Sequence, residues 1–362
     1  MTDFDTLADG LLQSLTDAEM KRCIGELNDR FTAGRHRLAG YGDDPALVSA
    51  YAAFYLPTNM QKLPFVLSQL SGFPLTLDTP LEIIDFGCGP GTYGFALYEW
   101  LRAQHVSPLN HTTFHFIDAA PLMLRQAQKF RQMRYPEMTA AFGASVPQRQ
   151  AGVQRLALFG NVVNEMGGSA FNRLLARLDP DAMIFIEPGT QESFRLMSEV
   201  RTLLLGGGYQ VWYPCAKGEA CPVAGRDGEW CHQVLKASLS PSVARLGQLA
   251  GLDRTIMPFI GHVYSKQNKS GLEGIPDAPL SVSGTLFRLK THSKHAFFWE
   301  VCLQTETGLS LVKVELPKKN LTKAAQKNLA RISAGQRISF NVQKMLGDGT
   351  WRIENVRFDT TG

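Results

Sequence analysis

The stretch 81–103 constrains the fold of this chain more than any other part of the sequence. A short apolar run ends at Asp85, and a glycine-rich loop and a helical stretch follow it in turn. That order predicts a strand, a tight turn and a helix, which form the first unit of a doubly wound α/β sheet. Glycine permits a positive φ in the turn and lets a ligand come close to the backbone. The loop glycines are Gly87, Gly89 and Gly91.

A second strand pattern, 112–118, ends in the acidic residue Asp118. A carboxylate at the end of the second strand suits a ribose, because it accepts hydrogen bonds from both hydroxyl groups. Further apolar strands alternate with helical segments, and this alternation predicts a parallel sheet covered on both faces. The predicted strands are 155–163, 182–186 and 209–213, and the predicted helices are 121–131, 169–178 and 191–205.

The spacing of the loop glycines distinguishes two kinds of nucleotide site. A nicotinamide-binding domain uses G-x-G-x-x-G, and the third glycine would fall where this chain has a threonine. Asp85-x-Gly87-x-Gly89-x-Gly91 followed by Asp118 instead resembles the S-adenosylmethionine (SAM) site of class I methyltransferases. The resemblance implies that the residues of this pattern up to Gly91 face the methionine end of SAM and that Asp118 holds the ribose.

The remaining residues of the predicted SAM site are Cys88, as a small loop residue, and Asn161, which lies near the end of the fourth strand. Asn161, Asn164 and Glu165 are the polar groups near the expected methyl position, and loop capping explains them equally well. The chain has no Asn/Asp-Pro-Pro-aromatic tetrapeptide, which base methylation on an amine commonly uses. The sequence therefore supports SAM binding better than methyl transfer, and it leaves the catalytic residues unknown.

Three cysteines within seventeen residues mark a second site: Cys215, Cys221 and Cys231. Prolines and glycines make this stretch a loop, and a loop so poor in apolar side chains needs something other than a core to hold it. Ordinary structural cysteines and a zinc site are both alternatives, although zinc sites favour closer cysteine pairs. An iron–sulfur cluster takes four thiolates at wider spacing, so a fourth ligand would come from elsewhere. The candidates are Cys23, Cys88 and Cys302.

A narrower resemblance covers most of residues 40–340. Its motifs, in order, are Ile186-Glu187-Pro188-Gly189-Thr190, Arg201, Pro214-Cys215, Cys221-Pro222, Trp230-Cys231-His232 and Gly261-His262-Val263. This order resembles the methyltransferase-like proteins of the mitochondrial ribosomal small subunit and their bacterial relatives. That family is associated with small-subunit assembly and carries an iron–sulfur cluster on four cysteines, the last of them downstream of the Gly-His-Val element. The resemblance therefore implies a [4Fe–4S] cluster, with zinc as the alternative, on Cys215, Cys221, Cys231 and Cys302.

The C-terminal part of the chain predicts an OB-like β-barrel, because five short strands with a helix before the fourth are typical of that fold. The predicted strands are 280–289, 296–304, 310–316, 337–344 and 351–358, and the helix is 322–332. OB barrels often bind nucleic acid through a basic face that bears aromatic rings. About half of the aromatics must instead fill the barrel, because strands alternate inward and outward. The candidates for such a face are Phe287, Phe297, Phe298, Trp299, Lys313, Lys318 and Lys319.

The charge of the chain is uneven. Residues 1–265 carry 22 Lys and Arg against 25 Asp and Glu, whereas residues 266–362 carry 15 against 8. A local basic excess favours contact with a polyanion, although a solvated surface accounts for it as well. We therefore expect RNA binding by the C-terminal segment.

The sequence predicts an α/β chain of four parts. They are an N-terminal helical lobe (1–78), a SAM-binding methyltransferase-like domain (79–265) with the cysteine-rich loop 214–232, a polar linker (266–278) and the basic OB-like domain (279–362). In the lobe, Thr16 and Glu19 form a predicted capping box, and Leu7, Leu11 and Leu15 form a helical stripe. A cap packed on the next domain explains this lobe more simply than a docking role.

The sequence gives expectations about where the protein acts and with which partners. No apolar run reaches the length of about 18 residues that a membrane span needs, so we expect no membrane association. The acidic N-terminus resembles neither a secretory signal nor a transit peptide, which predicts a cytoplasmic protein with reduced thiols. The family resemblance implies the small ribosomal subunit and its rRNA as partners, and we expect a monomer away from the ribosome. A factor that supports assembly or translation and an active rRNA methyltransferase with an undefined target base are both open.

Overall fold

The computed structural model describes residues 9–32, 40–104, 109, 111–267 and 281–358. The chain divides into two compact units, each built from separate segments. Unit 1 is formed within 1–64, 75–187 and 236–257, and unit 2 within 65–74, 188–235 and 258–362. The domain boundaries predicted from the sequence stay a prediction. Leu7 of the predicted stripe and most of the predicted linker lie outside the described residues. Leu11 and Leu15 are not helical, because the first described α-helix begins only at Asp17, so the predicted helical stripe is wrong there.

Helices and strands alternate along the chain and give way to strands near its end. The helices are α1 (Asp17–Thr32), α2 (Pro45–Ala50), α3 (Leu56–Met60), α4 (Lys62–Leu67), α5 (Thr92–Ala103), α6 (Pro121–Arg134), α7 (Val163–Met166), α8 (Gly168–Leu178), α9 (Gln191–Gly206), α10 (Pro241–Ala250) and α11 (Lys323–Leu329). The strands are β1 (Leu81–Phe86), β2 (Thr112–Ile117), β3 (Ala140–Gly143), β4 (Gln154–Gly160), β5 (Ala182–Pro188), β6 (Gln210–Tyr213), β7 (Gln233–Lys236), β8 (Ile256–Ser265), β9 (Ser281–His292), β10 (Ala296–Thr305), β11 (Gly308–Pro317), β12 (Arg337–Met345) and β13 (Trp351–Phe358). Within the described residues, no helix is both long and apolar enough to cross a membrane.

The sheet of unit 1 has the order β3-β2-β1-β4-β5, and every neighbouring pair is parallel. Ile83 of β1 lies between Phe114 of β2 and Leu156 of β4, so the central strand is buried in apolar side chains. Such near-continuous apolar strands are typical of a parallel sheet with helices on both faces. The predicted α/β class of the methyltransferase type is confirmed.

A helical lobe precedes this sheet in the chain. The capping box forms as predicted: the Thr16 N–H donates to Glu19 Oε2 at 2.8 Å, and the Glu19 N–H donates to Thr16 Oγ1 at 3.3 Å. α2 continues into a π-helical turn, Tyr51–Tyr55, and then into α3. Phe54 and Leu27 are fully buried in the core that α1 and these turns share. A π-helical turn inside a helix often marks a functional site.

Unit 2 contains a closed barrel with the strand order β10-β11-β13-β12-β9. β11 and β13 pair in parallel, whereas the other described pairs of the barrel are antiparallel. α11 lies between the third and the fourth strand, as in the OB pattern. Trp299, Val301 and Phe340 fill the interior. The predicted five-stranded C-terminal barrel is confirmed. Elsewhere in unit 2, β6 pairs antiparallel with β8.

A buried ion pair in unit 1 gives a test of this fold. Arg155 is fully buried, and its Nη2 lies 2.7 Å from Glu82 Oε2. We expect Glu82→Gln to lower the free energy of unfolding by about 3–5 kcal/mol, because it leaves the guanidinium buried without a countercharge. Urea denaturation measures the change.

The exposed pair of Arg102 and Glu137, 3.3 Å apart, supplies the matched control. Glu137→Gln should cost less than about 1 kcal/mol, because both side chains of the pair are largely in solvent. The glutamine oxygen can still accept from the Tyr98 hydroxyl, which donates to Glu137 Oε1 at 2.9 Å. Equal costs for the two substitutions would contradict the assigned role of the buried pair.

Candidate functional site

The glycine loop between β1 and α5 is built from residues in the left-handed backbone region. Gly87, Gly89 and Gly91 have φ values of 66°, 52° and 91°. A Cβ on Gly87 would lie 2.5 Å from the Val162 side chain, and one on Gly91 would lie 2.4 Å from Phe95. Around Gly89, by contrast, no described heavy atom lies within 4 Å of such a Cβ. The loop is therefore packed on two sides and open at Gly89, where a ligand can reach the backbone.

Two carboxylates hold this loop in place. The Gly94 N–H donates to Asp85 Oδ2 at 2.8 Å, and the Gly89 N–H donates to Asp118 Oδ2 at 2.8 Å. The other oxygen of Asp118 accepts from the Ala120 N–H at the start of α6. Asp85 is only 2% exposed, so it acts by fixing the loop on α5, whereas Asp118 is partly exposed.

Burial changes the pKa values of these acids. Desolvation raises the pKa of Asp85 to about 7, against the opposing effect of the hydrogen bond from Gly94. Desolvation also raises the pKa of Asp118, and its backbone hydrogen bonds partly offset that effect. Cys88 is buried, its thiol donates to the Gly89 carbonyl at 3.3 Å, and burial raises its pKa. It is thus a neutral loop residue, as its position in the sequence indicates.

The turn after β4 packs against the loop. Asn161 has a φ of 58°, and its N–H donates to the Ile186 carbonyl at 2.8 Å. Glu187 Oε1 accepts from the N–H groups of Val162 and Val163 at 3.1 and 3.0 Å. Burial raises the pKa of Glu187 to about 8. Glu187 therefore shapes the turn that carries the predicted polar groups.

Three buried polar atoms near the loop make no hydrogen bond of normal geometry within the described residues. They are Asn164 Oδ1, Thr92 Oγ1 and the Tyr93 hydroxyl. Asn161 lies close enough to Tyr93 to lower its pKa slightly, although burial dominates and raises it. Buried polar groups in native proteins usually have partners, so these atoms indicate a polar ligand or ordered water.

The helical lobe supplies site residues that the sequence did not predict. Tyr51 and Tyr41 stack with ring centroids 6.2 Å apart. Burial raises the pKa of both hydroxyls, and Glu165 raises them further through its charge, so both rings lie near the turn after β4. A hydrogen bond with the Asn59 side chain of α3 lowers the pKa of the Tyr51 hydroxyl, against the larger effect of burial. One sequence pattern could have found this part of the site. Tyr51 and Tyr55 are four residues apart, a spacing that predicts an aromatic face on a helix.

The second candidate site is the cysteine loop of unit 2, which backbone contacts hold on both sides. Thr285 Oγ1 donates to the Pro214 carbonyl at 2.6 Å, and Trp230 Nε1 donates to the Gly189 carbonyl at 3.0 Å. Arg201 donates to the Lys217 carbonyl at 3.3 Å and also to that of Glu219. The family motifs around Gly189, Arg201 and Trp230 thus serve one loop.

The structure brings together the four cysteines that the sequence assigned to a metal. Cys215, Cys221 and Cys302 all raise the pKa of Cys231 through their charges, after the larger effect of burial. Burial, then Cys215 and Cys221, raise the pKa of Cys302 to about 12, against the lowering effect of Arg201. Cys23 lies instead in the core of the helical lobe, and Cys88 in the glycine loop.

A buried cation lies among these groups. Arg201 is 8% exposed, and no carboxylate of the described residues forms an ion pair with it. Its Nε has no hydrogen-bond partner there either. A buried guanidinium without a countercharge is costly, so this side chain fits a site that becomes anionic.

No three His, Cys, Asp or Glu side chains of the described residues are grouped as ligands of one metal ion. The ligands of a single zinc ion converge on one atom, whereas each thiolate of a [4Fe–4S] cluster binds a different iron. The positions of the four cysteines alone do not distinguish a cluster from a zinc ion.

Comparison with known protein families assigns the chain to one of them. A family model described as "Mitochondrial small ribosomal subunit Rsm22" matches residues 45–302, which confirms the resemblance of the sequence. No curated protein is significantly similar to the chain.

Three solved structures with remote similarity are described as methylases or methyltransferases. The 16S rRNA methylase RmtB is 15% identical, with 70% of this chain and 76% of that chain covered and a TM-score of 0.33. An rRNA methylase from Escherichia coli is 14% identical, with 73% and 100% covered and a TM-score of 0.34. The METTL16 MTase domain is 12% identical, with 59% and 69% covered and a TM-score of 0.32. Likenesses this distant do not bear on function.

The raised pKa of Asp85 gives a prediction for the first site. The folded-state pKa of about 7 lies above the ordinary value of 3.8, so its contribution to stability is present at low pH and is lost as the pH rises towards 7. Asp85→Asn cannot ionise and keeps an acceptor for the Gly94 N–H. We expect the variant to gain stability over the wild type by on the order of 3 kcal/mol between pH 5 and pH 8.

Urea denaturation at several pH values measures this difference. Asp29→Asn, at an exposed position of α1, is the control. A constant difference between Asp85→Asn and the wild type across this range would refute the assignment.

Proposed function

The chain belongs to the mitochondrial small ribosomal subunit Rsm22 family, and we propose that it is a SAM-binding factor of the small ribosomal subunit. The observation that carries SAM binding is the glycine loop, open at Gly89 and fixed by Asp118 beside it. Its proposed partner is small-subunit rRNA, in assembly or in support of translation. We also propose a monomer away from the ribosome that works in the cytoplasm without a membrane.

SAM suits the polar groups at this site. A sulfonium cofactor with a ribose and an amino-acid end needs a carboxylate for its hydroxyls and exposed backbone for its other end. Asp118 is partly exposed beside the loop, and the open face of Gly89 supplies the backbone. The methionine-end role proposed for Asp85 would act through the loop, because this carboxyl is buried and already bonded to the Gly94 N–H.

We propose a [4Fe–4S] cluster on the four cysteines of unit 2. What supports it is their mutual electrostatic contact and the buried Arg201, which would face the net negative charge of four thiolates. Such a cluster would tie the loop 214–232 to β10 of the barrel, since three ligands come from the loop and one from the strand. Ligation would release protons from thiols whose pKa values are raised, so cluster retention should increase with pH.

An active RNA methyltransferase is the second candidate. What favours it is the polar group at the end of β4: Asn164 Oδ1 is buried without a partner, and desolvation raises the pKa of Glu165 to about 7, near the range of a general base. Transfer of tritium from labelled SAM to immature small subunits separates the two candidates. Incorporation into RNA indicates an enzyme, and its absence despite SAM binding indicates a binding factor.

We predict that Asp118→Ala weakens SAM binding by roughly 1.5–3 kcal/mol, since a charged hydrogen-bonding group is lost. Calorimetry with SAM measures the change, and Asp29→Ala on exposed α1 is the control. Asp118→Asn separates two causes, because its amide oxygen still accepts from the Gly89 N–H. Restored binding in that variant indicates loop support, and continued loss indicates a ribose contact. A wild-type chain that does not bind SAM would refute the proposal.

The cluster has its own test. Wild type purified without oxygen should be brown and contain about four irons per chain. Cys302→Ser should be depleted of iron, whereas the matched control Cys23→Ser, in the core of the helical lobe, should keep it. A colourless protein with one zinc per chain would replace the cluster with a zinc site. Undiminished iron in Cys302→Ser would remove this residue from the ligand set.

A further inference from the structure

One end of the barrel in unit 2 carries a surface without acidic residues. This surface, the basic end, consists of residues 290–296 and 317–331, which include no Asp or Glu. The two segments lie together: the Lys318 N–H donates to the His295 carbonyl at 2.8 Å, and Lys318 Nζ donates to the Ser293 carbonyl at 2.5 Å. Its cations are Lys290, Lys294, Lys318, Lys319, Lys323, Lys327 and Arg331.

Most of this charge is available to a partner. Lys294, Lys319, Lys323 and Lys327 are exposed, and none of them forms an ion pair within the described residues. Lys323 and Lys327 are four residues apart on α11, so they share one face of the helix. Lys290 differs, because it pairs with Glu300 at 2.8 Å. The basic end therefore presents several unneutralised ammonium groups side by side.

The cysteine loop contacts the barrel at residues outside the basic end. β10 and β11 pair from Ala296↔Pro317, at the basic end, to Thr305↔Gly308. At that far end, about 30 Å away, Gln304 donates to the Glu219 carboxylate of the cysteine loop at 3.2 Å. The loop also contacts β9, where Glu229 Oε1 lies 2.5 Å from Arg288 Nη2.

Two of the four candidate aromatic side chains fill the barrel, and the other two are not exposed. Phe297 and Trp299 are 4% and 2% exposed and belong to the core, and Phe287 is buried. Among the described barrel residues, no Phe, Tyr or Trp is in the exposed class, and Phe298 is half-buried. Proteins that bind single strands stack bases on exposed aromatic rings. Duplex RNA is instead bound through its phosphates and its shape.

We propose that the basic end binds the phosphate backbone of double-stranded RNA. The proposal rests on the proposed function, because small-subunit rRNA is what makes RNA the polyanion. The lysines supply the phosphate contacts, and the inward aromatics leave single-stranded bases without a stacking platform. The ligand class is therefore an RNA helix read by backbone, with little dependence on base sequence.

Fluorescence anisotropy of the full-length chain tests this. The probes are a labelled RNA hairpin, an unstructured single strand of the same length and a polyglutamate peptide. Lys323→Gln with Lys327→Gln should weaken hairpin binding roughly tenfold and reduce the slope of log K against log salt by about 2. The matched control is Lys313→Gln with Arg357→Gln, an equal charge change at exposed barrel positions outside the basic end.

The outcomes separate the surface from the function. Selective loss in the α11 double variant, with the hairpin preferred over the single strand, supports the proposal. Equal loss in both double variants, tighter single-strand binding, or polyglutamate binding as tight as hairpin binding would overturn it. Cosedimentation with small ribosomal subunits is measured in parallel. If the wild type cosediments but the α11 variant binds the hairpin normally, the surface is wrong and the function stands. If the wild type binds neither RNA nor subunits, both fail.

Discussion

Hydrogen bonds to the end of β2 fix the glycine loop, and the rest of the candidate SAM site depends on them. The Gly89 N–H donates to the Asp118 carboxylate, and the Gly87 and Cys88 N–H groups donate to the Ile117 carbonyl. Three glycines at positive φ cannot hold a conformation by themselves, because glycine has the most backbone freedom to lose. Asp118 also accepts from the start of α6, so one carboxylate sets the loop and the following helix. The open side of Gly89 is thereby formed before a ligand arrives, which reduces the entropy that binding must offset.

A comparable constraint acts in unit 2 through Arg201. Two carbonyl groups accept from this buried guanidinium, and carbonyl dipoles offset a buried charge only in part. Without a metal, the raised pKa values keep the Cys231 and Cys302 thiols neutral, so they offer Arg201 no countercharge. Cys215, Cys221, Cys231 and Cys302 would hold the proposed metal centre as thiolates, whose negative charge would face Arg201. A metal centre on the four cysteines would therefore explain why Arg201 is buried without a carboxylate partner among the described residues.

The parts that the sequence predicted well are those with strong local patterns. β1, the glycine loop and α5 follow from apolar runs and glycines within about twenty residues, and the barrel strands follow from period-two patterns. β3 was not predicted, because its four residues include only one large apolar side chain and none is buried. Tyr41, Tyr51 and Asn59 were missed for another reason. They reach the site from a lobe far away in the sequence, and only tertiary packing brings them there.

The barrel aromatics follow the period-two rule along β10. Simple alternation places Trp299 and Val301 on one face and Glu300 on the other. Phe297, Trp299, Val301 and Leu303 all belong to the barrel core, despite register shifts in the pairing of β10 with β9. Glu300 is buried as well, and it pairs with Arg288 and Lys290. Two of the four candidate rings, Phe297 and Trp299, therefore fill the barrel, which agrees with the expectation for about half of them.

The inward position of these rings bears on which ligand the barrel can bind. Each aromatic ring turned inward stabilises the core and is lost as a stacking surface, while the lysines around α11 stay in solvent. The family match ends at residue 302, so the segment 317–331 lies beyond it. The family match thus includes the glycine loop and the four cysteines but not most of the basic end, which has to be explained by its own chemistry. Fold does not imply function, and here the charges and the position of the rings, rather than the OB topology, decide which nucleic acid the barrel suits.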